Sequence, residues 1–411
     1  MTMTKTRTDW TNRFAARTRS GGGEALTAIL ALSGRTDIIS FSGGLPDPAT
    51  LPGEALVDVM QTVLAGHDAS ALQYSPVKGL PGPLSYIAER LEALEHHRPA
   101  PDELLVTSGC IEALELLGKA LLDRGDVALV EAPTYMGATM GFQSFEAEVI
   151  EVTMDADGVR LDLLDEAMNA ARAKLFYTIP DYQNPTGVSL SRERRQQLVD
   201  LARDRGVLVV EDVTYRELGF YGDRLPSLWS LAPDAVVQIG TFSKTFFPGV
   251  RLGWACGPSE IIEQMIRAKQ NTDQCAGSMG QRLLEEYGRS GALDRQIDRA
   301  RVFYRGRREL MMQALATHMP EGVSWTEPRG GFVTWLTLPD GVDAVQVATR
   351  AMEDAIAIVP GSVFFSEPSR GRNNLRLSYS GVQDDVIDEG IRRLGVVLRR
   401  ALNQPGQKGN V

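Results

Sequence analysis

The sequence predicts an α/β protein, with a mostly parallel sheet between helices and a smaller α+β region behind it. Three observations carry this expectation. Short β-branched runs alternate with helical patterns through the middle of the chain, as βαβ units do. From about Tyr304 the pattern changes to a long helix followed by single strands and helices. The length, 411 residues, suits one large domain joined to a smaller one.

In chain order, Leu104–Thr107, Val127–Glu131, Lys174–Ile179, Val207–Asp212 and Ala235–Gly240 are expected strands, each a short aliphatic run. Between the first two lies a predicted helix, Ile111–Asp123, whose Ile111, Leu114, Leu117 and Leu121 share one face. A second predicted helix, SRERRQQLVDLARDRG, has Ser191 placed as N-cap and Gly206 as the residue past its end. Beyond the long helix come a strand at Phe332–Leu338, a helix after Gly341, and a last strand and helix between Asn374 and Leu402. The run Gly21 to Gly23 reads as a flexible joint, and the tail NQPGQKGNV as disordered.

Composition narrows the function classes. Hydrophobic residues at 43% and charged residues at 23% are ordinary globular usage, which excludes disordered and collagen-like chains. Lys plus Arg is 43 against 53 Asp plus Glu, a net charge of −10 that repels phosphate backbones, so no nucleic-acid partner is expected. The basic cluster Arg13, Arg17 and Arg19 is short and reads as a solvated segment. No run of 18 apolar residues and no secretory h-region occurs, so no membrane partner is expected. Cys110, Cys256 and Cys275 are too few and too scattered for a disulfide framework or zinc site, which points to a reducing cytoplasm. His96 and His97 are adjacent, and His67 and His318 lack neighbours at ligand spacing, so no metal is expected.

In an open parallel sheet, reactive groups gather beyond the carboxyl ends of the strands. After LLVT, Ser108-Gly109-Cys110 opens a helix whose free N–H groups suit a phosphate, although an ordinary capped helix reads the same. After VLVV, Glu211 and Asp212 end a buried strand, where an acid needs a cation or donor, or is simply a strand end. After AVVQIG comes Thr241-Phe242-Ser243-Lys244, with Arg251 seven residues on. Flanking phenylalanines and a nearby cation would lower the lysine pKa, as a Schiff-base lysine requires; a surface lysine is the alternative. Asn184-Pro185-Thr186-Gly187 is a turn that presents a polar side chain. Arg376 interrupts the alternating run NNLRLSY, which fits either an α-carboxylate ligand or a structural salt bridge.

Singly these signals are weak; their order and spacing are not. The set ISFSGGLPDPATLP, LQYSPVKGLPGPL, EAPTYMGA, IPDYQNPTG, VVEDVTYREL, GTFSKTFFPGVRLGW, PRGGFVTW and NNLRLSYS resembles the fold-type I pyridoxal 5′-phosphate (PLP) enzymes, specifically class I/II aminotransferases. It is most similar to the branch with 2-aminoadipate and kynurenine aminotransferases and the aminotransferase-like half of MocR regulators. The resemblance spans roughly residues 24–402. It implies a large PLP-binding domain with a mixed sheet over residues 56–299, a small domain over 300–411, and an N-terminal segment, 1–55, that joins the small domain.

The same resemblance implies roles. Lys244 would carry the cofactor as a Schiff base and shuttle the proton, Asp212 would pair with the ring nitrogen, and Asn184 and Tyr215 would bind its phenolic oxygen. Tyr135 would stack on the ring. Ser108, Gly109, Cys110, Ser243 and Arg251 would line the phosphate position, with Thr241 nearby. Tyr74 would reach the phosphate from a second subunit and border the substrate, making a homodimer with shared active sites. Arg376 would take the substrate α-carboxylate beside Asn184, and the Gly43-Gly44 turn would close over it. An L-amino acid and a 2-oxo acid are the implied partners. One of Arg13, Arg17 or Arg19 could meet an acidic substrate side chain.

The chain departs from the family pattern at three places. Gly109-Cys110-Ile111 stands where the phosphate loop usually reads Gly-Ser-Gln, Val213-Thr214 follows Asp212 where another acid or a proline pair is common, and NTDQCAGSMGQ over 271–281 replaces a Ser/Thr- and His-containing stretch. Transamination is the leading expectation. PLP-dependent elimination or replacement on an amino acid is the alternative, and a PLP-sensing regulator a weaker one, since only about two dozen residues precede the resemblance.

Overall fold

The five expected strands pair with three others into an eight-stranded sheet, in spatial order Leu104–Thr107, Gly253–Cys256, Val236–Thr241, Leu208–Asp212, Leu175–Thr178, Val127–Ala132, Glu148–Asp155 and Gly158–Val159. The computed structural model in which they lie describes residues 10–18, 27–29, 31–32, 35, 37–66, 69–367 and 369–403. Arg19, Gly21 to Gly23, His67 and the tail from residue 404 fall outside them. The five strands from Val236–Thr241 to Glu148–Asp155 are mutually parallel. Gly253–Cys256 slots antiparallel between Val236–Thr241 and Leu104–Thr107. It escapes a sequence reading because four residues, two of them Gly253 and Cys256, carry too little β-branched signal.

The central strands are buried throughout because helices cover both faces of the sheet. Alternate residues divide between two cores: Val106, Leu129, Phe176 and Val209 on one face, and Leu105, Val130, Tyr177 and Val210 on the other. Complete burial of each such side chain contributes about 1.5–3 kcal/mol, so a charge at Val209 or Val210 would break the sheet's centre. The helix after the first strand runs Cys110–Leu121, and Ala113, Leu114, Leu116 and Leu117 pack inward. Ile111, expected on that face, is instead 48% exposed, while Cys110 and Ala113 of the same turn are the residues that pack inward. The Arg192–Arg205 helix has the expected ends: Ser191 Oγ accepts from the Arg194 N–H, and Gly206 is left-handed at φ 64°.

The long helix spans Ala292–His318, starting well before Tyr304 and running unbroken through residue 300. It packs with Asp384–Leu402 and a four-stranded antiparallel sheet, in order Ser324–Trp325, Val333–Thr337, Asn374–Ser378, Val359–Pro360. Met311, Leu315, Leu336, Leu375, Leu377 and Leu394 form their shared core, which Phe41 joins from the N-terminal segment. That segment is tied in by backbone as well, since Ile39–Ser40 pairs parallel with Ile356–Ala357. No helix among the described residues is long and apolar enough to cross a membrane. Cys110, Cys256 and Cys275 are free thiols.

Candidate active site

The loops after five strands of the large sheet open toward the small sheet and enclose a cavity of about 310 Å³. Gly43, Gly44, Cys110, Tyr135, Asn184, Asp212, Tyr215, Thr241, Ser243, Lys244, Arg251 and Arg376 line it together. Arg376 on this wall also reaches back 334 positions in the chain, to the carbonyl of Ser42 beside Gly43. Tyr74, Ser108 and Gly109 are not on its wall. Tyr74 is 81% exposed on the protein surface. Arg13 and Arg17 are exposed beside short 3-10 turns, Thr11–Arg13 and Ala16–Thr18, and do not line the cavity either.

The wall carries three cations, Lys244, Arg251 and Arg376, and one carboxylate, Asp212. Lys244 Nζ donates to the Gly44 carbonyl at 2.9 Å. Burial pushes its ammonium down to about 8, with Arg251 and Arg376 helping and Cys110 and Asp212 opposing. Arg376 is only 5% exposed, and its guanidinium donates to Asn184 Oδ1 at 3.1 Å and to the Ser42 carbonyl. Among the described residues it meets no carboxylate, which excludes the salt bridge that the sequence left open. Its Nε is buried without any acceptor, and burial lowers its pKa to about 10, so it stays cationic at neutral pH.

At the opposite end, Arg251 Nη1 donates to Ser243 Oγ at 3.2 Å and Nη2 to the Ser108 carbonyl at 3.1 Å. Arg251 is held left-handed, at φ 50°, an uncommon conformation for a residue with a side chain. Gly109 sits at φ 105°, and a Cβ there would fall 2.9 Å from Arg251 Nη2. The helix beginning at Cys110 has no side-chain cap, so its first N–H groups remain available to an anion. Ser108 itself is engaged elsewhere: its N–H donates to Glu112 at 2.5 Å and its hydroxyl to Asp273 at 3.1 Å. Both acids bind Lys269, a fully buried ammonium. The 271–281 segment therefore touches the loop at Ser108 through Asp273.

The family profile "Aminotransferase class I and II" matches residues 36–394. The chain belongs to this family. It is 34% identical over 402 residues, 96% of each chain, to the aromatic-amino-acid aminotransferase 1 of Thermococcus litoralis. To the 2-aminoadipate transaminase of Thermus thermophilus it is 36% identical over 397 residues, 96% of this chain and 98% of the other. It also matches the solved α-aminoadipate aminotransferase of Thermus thermophilus, complexed with N-(5′-phosphopyridoxyl)-L-leucine, with a TM-score of 0.89 and 36% identity over 96% of this chain and 99% of that one. As a class I/II aminotransferase the chain is a PLP-dependent transferase.

The donors of this aminotransferase fit that cofactor. An uncapped helix start with Arg251 and Ser243 suits a phosphate. Asp212, 3% exposed and without an ion-pair partner among the described residues, suits a protonated ring nitrogen. Burial pushes its carboxyl up, while Thr214, Tyr177 and Cys110 oppose the rise.

Several contributors were not singled out from sequence as parts of the site. Tyr177 OH donates to Asp212 Oδ2 at 2.9 Å, although its place in an apolar strand marks it only as core. Glu131, buried at a strand end like Asp212, accepts from Thr178 Oγ1 at 2.6 Å and from Gln183 Nε2 at 3.2 Å. Gln183 also donates to the Pro133 carbonyl at 2.6 Å, which ties the loop of Tyr135 to the loop of Asn184. Burial pushes Glu131 up to about 7 against these donors. The signal was available in Glu131, an acid closing an aliphatic run.

Proposed function

We propose that this aminotransferase moves the amino group of an L-amino acid with an apolar or aromatic side chain to a 2-oxo acid. The observation that carries the reading is one cavity whose wall is shared by a lysine of lowered pKa, a buried carboxylate and a buried arginine that has no carboxylate partner among the described residues. PLP, when bound, supplies an electron-withdrawing ring that stabilises negative charge at the substrate α-carbon.

Lys244 would hold the cofactor and, as a free amine, would move the proton from the substrate α-carbon, for which an amine poised near neutrality is suited. Asp212 would keep the ring nitrogen protonated, Asn184 and Tyr215 would hydrogen-bond the phenolic oxygen, and Tyr135 would stack on the ring. With Asn184 Oδ1 occupied by Arg376, the amide N–H side is the part that faces an acceptor. Arg251, Ser243, Thr241 and the backbone at Ser108, Gly109 and Cys110 would hold the phosphate. Arg376 exchanges its neutral partners for the substrate carboxylate, a bidentate match.

Ile29, Leu45, Met136 and Phe364 form the rest of the wall, and this apolar lining supports donors with apolar or aromatic side chains. The name of one relative, an aromatic-amino-acid aminotransferase, is compatible with it, whereas 2-aminoadipate carries an acidic side chain. A homodimer completes the site. Leu45 and Ile111 line the cavity yet are 44% and 48% exposed, and Leu72 next to Tyr74 is also bare, so a second copy would cover this mouth and bring its own Tyr74 to the phosphate. The free thiols support a reducing cytoplasm.

The test is the absorption spectrum of the protein with PLP, before and after single amino acids without acceptor. One equivalent of 2-oxo acid per site, largest for leucine-like or aromatic donors, is the expected result. Catalytic turnover without an acceptor would replace transamination by elimination or another carbanion reaction.

A further inference from the structure

Two of the departures from the family pattern meet at one atom. Thr214 donates to Asp212 Oδ1 twice, through its hydroxyl at 2.6 Å and its N–H at 2.9 Å. Cys110 Sγ lies 3.4 Å from Thr214 Oγ1 and 3.9 Å from the same Oδ1. A threonine hydroxyl has one proton, and here it is directed to Asp212, so the thiol is the donor in the Cys110–Thr214 contact. The S–H of Cys110 thus lies against both Thr214 Oγ1 and Asp212 Oδ1, behind the Thr214–Asp212 pair. Tyr177 closes the other side, with its phenol 2.9 Å from Oδ2.

A carboxylate offers about four acceptor positions, two on each oxygen. Thr214 fills both on Oδ1 and Tyr177 takes one on Oδ2, which leaves a single position open. We propose that Thr214, backed by Cys110 and flanked by Tyr177, is a positioning residue that fixes the plane of Asp212 and keeps it ionised, so that one acceptor position on Oδ2 is presented to the cofactor's ring nitrogen. This inference rests on the PLP reading above. Thr214 acts through Asp212, not on the substrate. Its O–H···O contact is at the short end expected for a hydroxyl on an ionised oxygen, and the site is water-poor, where such a bond is strongest. Without the hydroxyl, Oδ1 keeps only a backbone donor, the carboxylate gains freedom to turn, and its proton affinity rises.

The experiment uses full-length protein loaded with PLP, comparing wild type with Thr214→Val, Thr214→Ser and Cys110→Ala in single-turnover reactions with one amino acid. Loss of a hydrogen bond to a buried charge should slow Thr214→Val about ten- to hundredfold at saturating donor. The donor KM should change less than about threefold, because Arg376 is untouched. Thr214→Ser, which keeps the hydroxyl, should return to within about threefold of wild type, a rescue that a packing role would not give. Cys110→Ala should slow the reaction by about two- to fivefold, since a thiol is a weak donor. The acid limb of the rate should move to higher pH in Thr214→Val, as Asp212 protonates more readily. Lys244, Glu131, Tyr135, Tyr215, Tyr177 and Cys110, the other titratable groups facing Asp212, stay in place.

A Thr214→Val protein at the wild-type rate, or a Thr214→Ser protein as slow as Thr214→Val, overturns the inference. If Thr214→Val fails to fold, Cys110→Ala decides, and an unchanged rate and acid limb there overturn it equally. A wild type that takes up no PLP and shows no amino-acid-dependent spectrum removes the underlying reading with it; a working wild type with an indifferent Thr214→Val removes this inference alone.

Discussion

Two regions of this molecule bury charge, and they do so in opposite ways. Past the carboxyl ends of the central strands Leu175–Thr178 and Leu208–Asp212, Arg195, Arg216, Asp181 and Glu95 form a cluster, all nearly inaccessible to water. Arg216 binds Glu95 through Nε and Nη2, both at 2.8 Å, and Asp181 through Nη1, while Arg195 Nη2 reaches Asp181 at 2.6 Å. Burial pushes Asp181 up, but the two arginines more than offset this and hold it below the ordinary range. Two positive charges meet two negative ones. In the active-site cavity, three cations meet one carboxylate, and Arg376 has only neutral oxygens for company. A balanced buried cluster serves the fold, whereas an imbalance marks where anionic ligands belong.

Each of the following changes bears on that contrast. The largest effect should come from Lys244→Ala: transamination should fall by at least about 10⁴-fold and the visible band of bound cofactor should vanish, read by single-turnover kinetics and absorption. Asp181→Ala should leave Arg195 without its carboxylate and Arg216 half-paired, and so lower unfolding stability by about 3–5 kcal/mol in urea titrations. Arg376→Leu should do the reverse. Donor kcat/KM should drop about ten- to hundredfold, yet the melting temperature without ligand should hold or rise, because an uncompensated buried cation is removed. A fall in stability equal to that of Asp181→Ala would break the contrast.

The smallest effect is a matter of pH. Burial pushes the Lys244 ammonium down to about 8 in the cofactor-free protein, against an ordinary value of 10.5. Between those values the unfolded chain binds more protons than the folded one, so stability should rise with pH across that window. Lys244→Met should flatten the rise, as measured by denaturation of the two proteins from about pH 8 to 10.5.

Much of this was legible in the order of residues. The parallel strands could be placed because their aliphatic runs are short and end on Ser108, Asp212 and Thr241, and the Ser191 and Gly206 caps because each has a specific backbone job. The Gly253–Cys256 strand was hidden by brevity, and the start of the long helix by the polar run Asp294–Arg301, which masks inward-facing Leu293, Ile297 and Ala300. At the site, Lys244 and Arg376 were readable as residue types out of place. Their partners were not, since a carbonyl such as that of Ser42 leaves no trace in side-chain identity. Tyr177 was read as core because it is core; its hydroxyl alone belongs to the site.

The strand Ile39–Ser40, paired with Ile356–Ala357, has a consequence for how the protein is made. It holds Ser42 against Arg376 and Gly44 against Lys244, contacts separated by 334 and 200 positions in the chain. At a synthesis rate of about 5–20 residues per second, Ser42 leaves the ribosome on the order of 20 to 70 s before Arg376 is made. The large sheet has all its strands in that interval, but no nascent chain can close the wall that grips a substrate. A product truncated before Arg376 has every strand of the large sheet yet lacks the Arg376 side of the cavity wall, and on the function proposed above it should bind no amino acid.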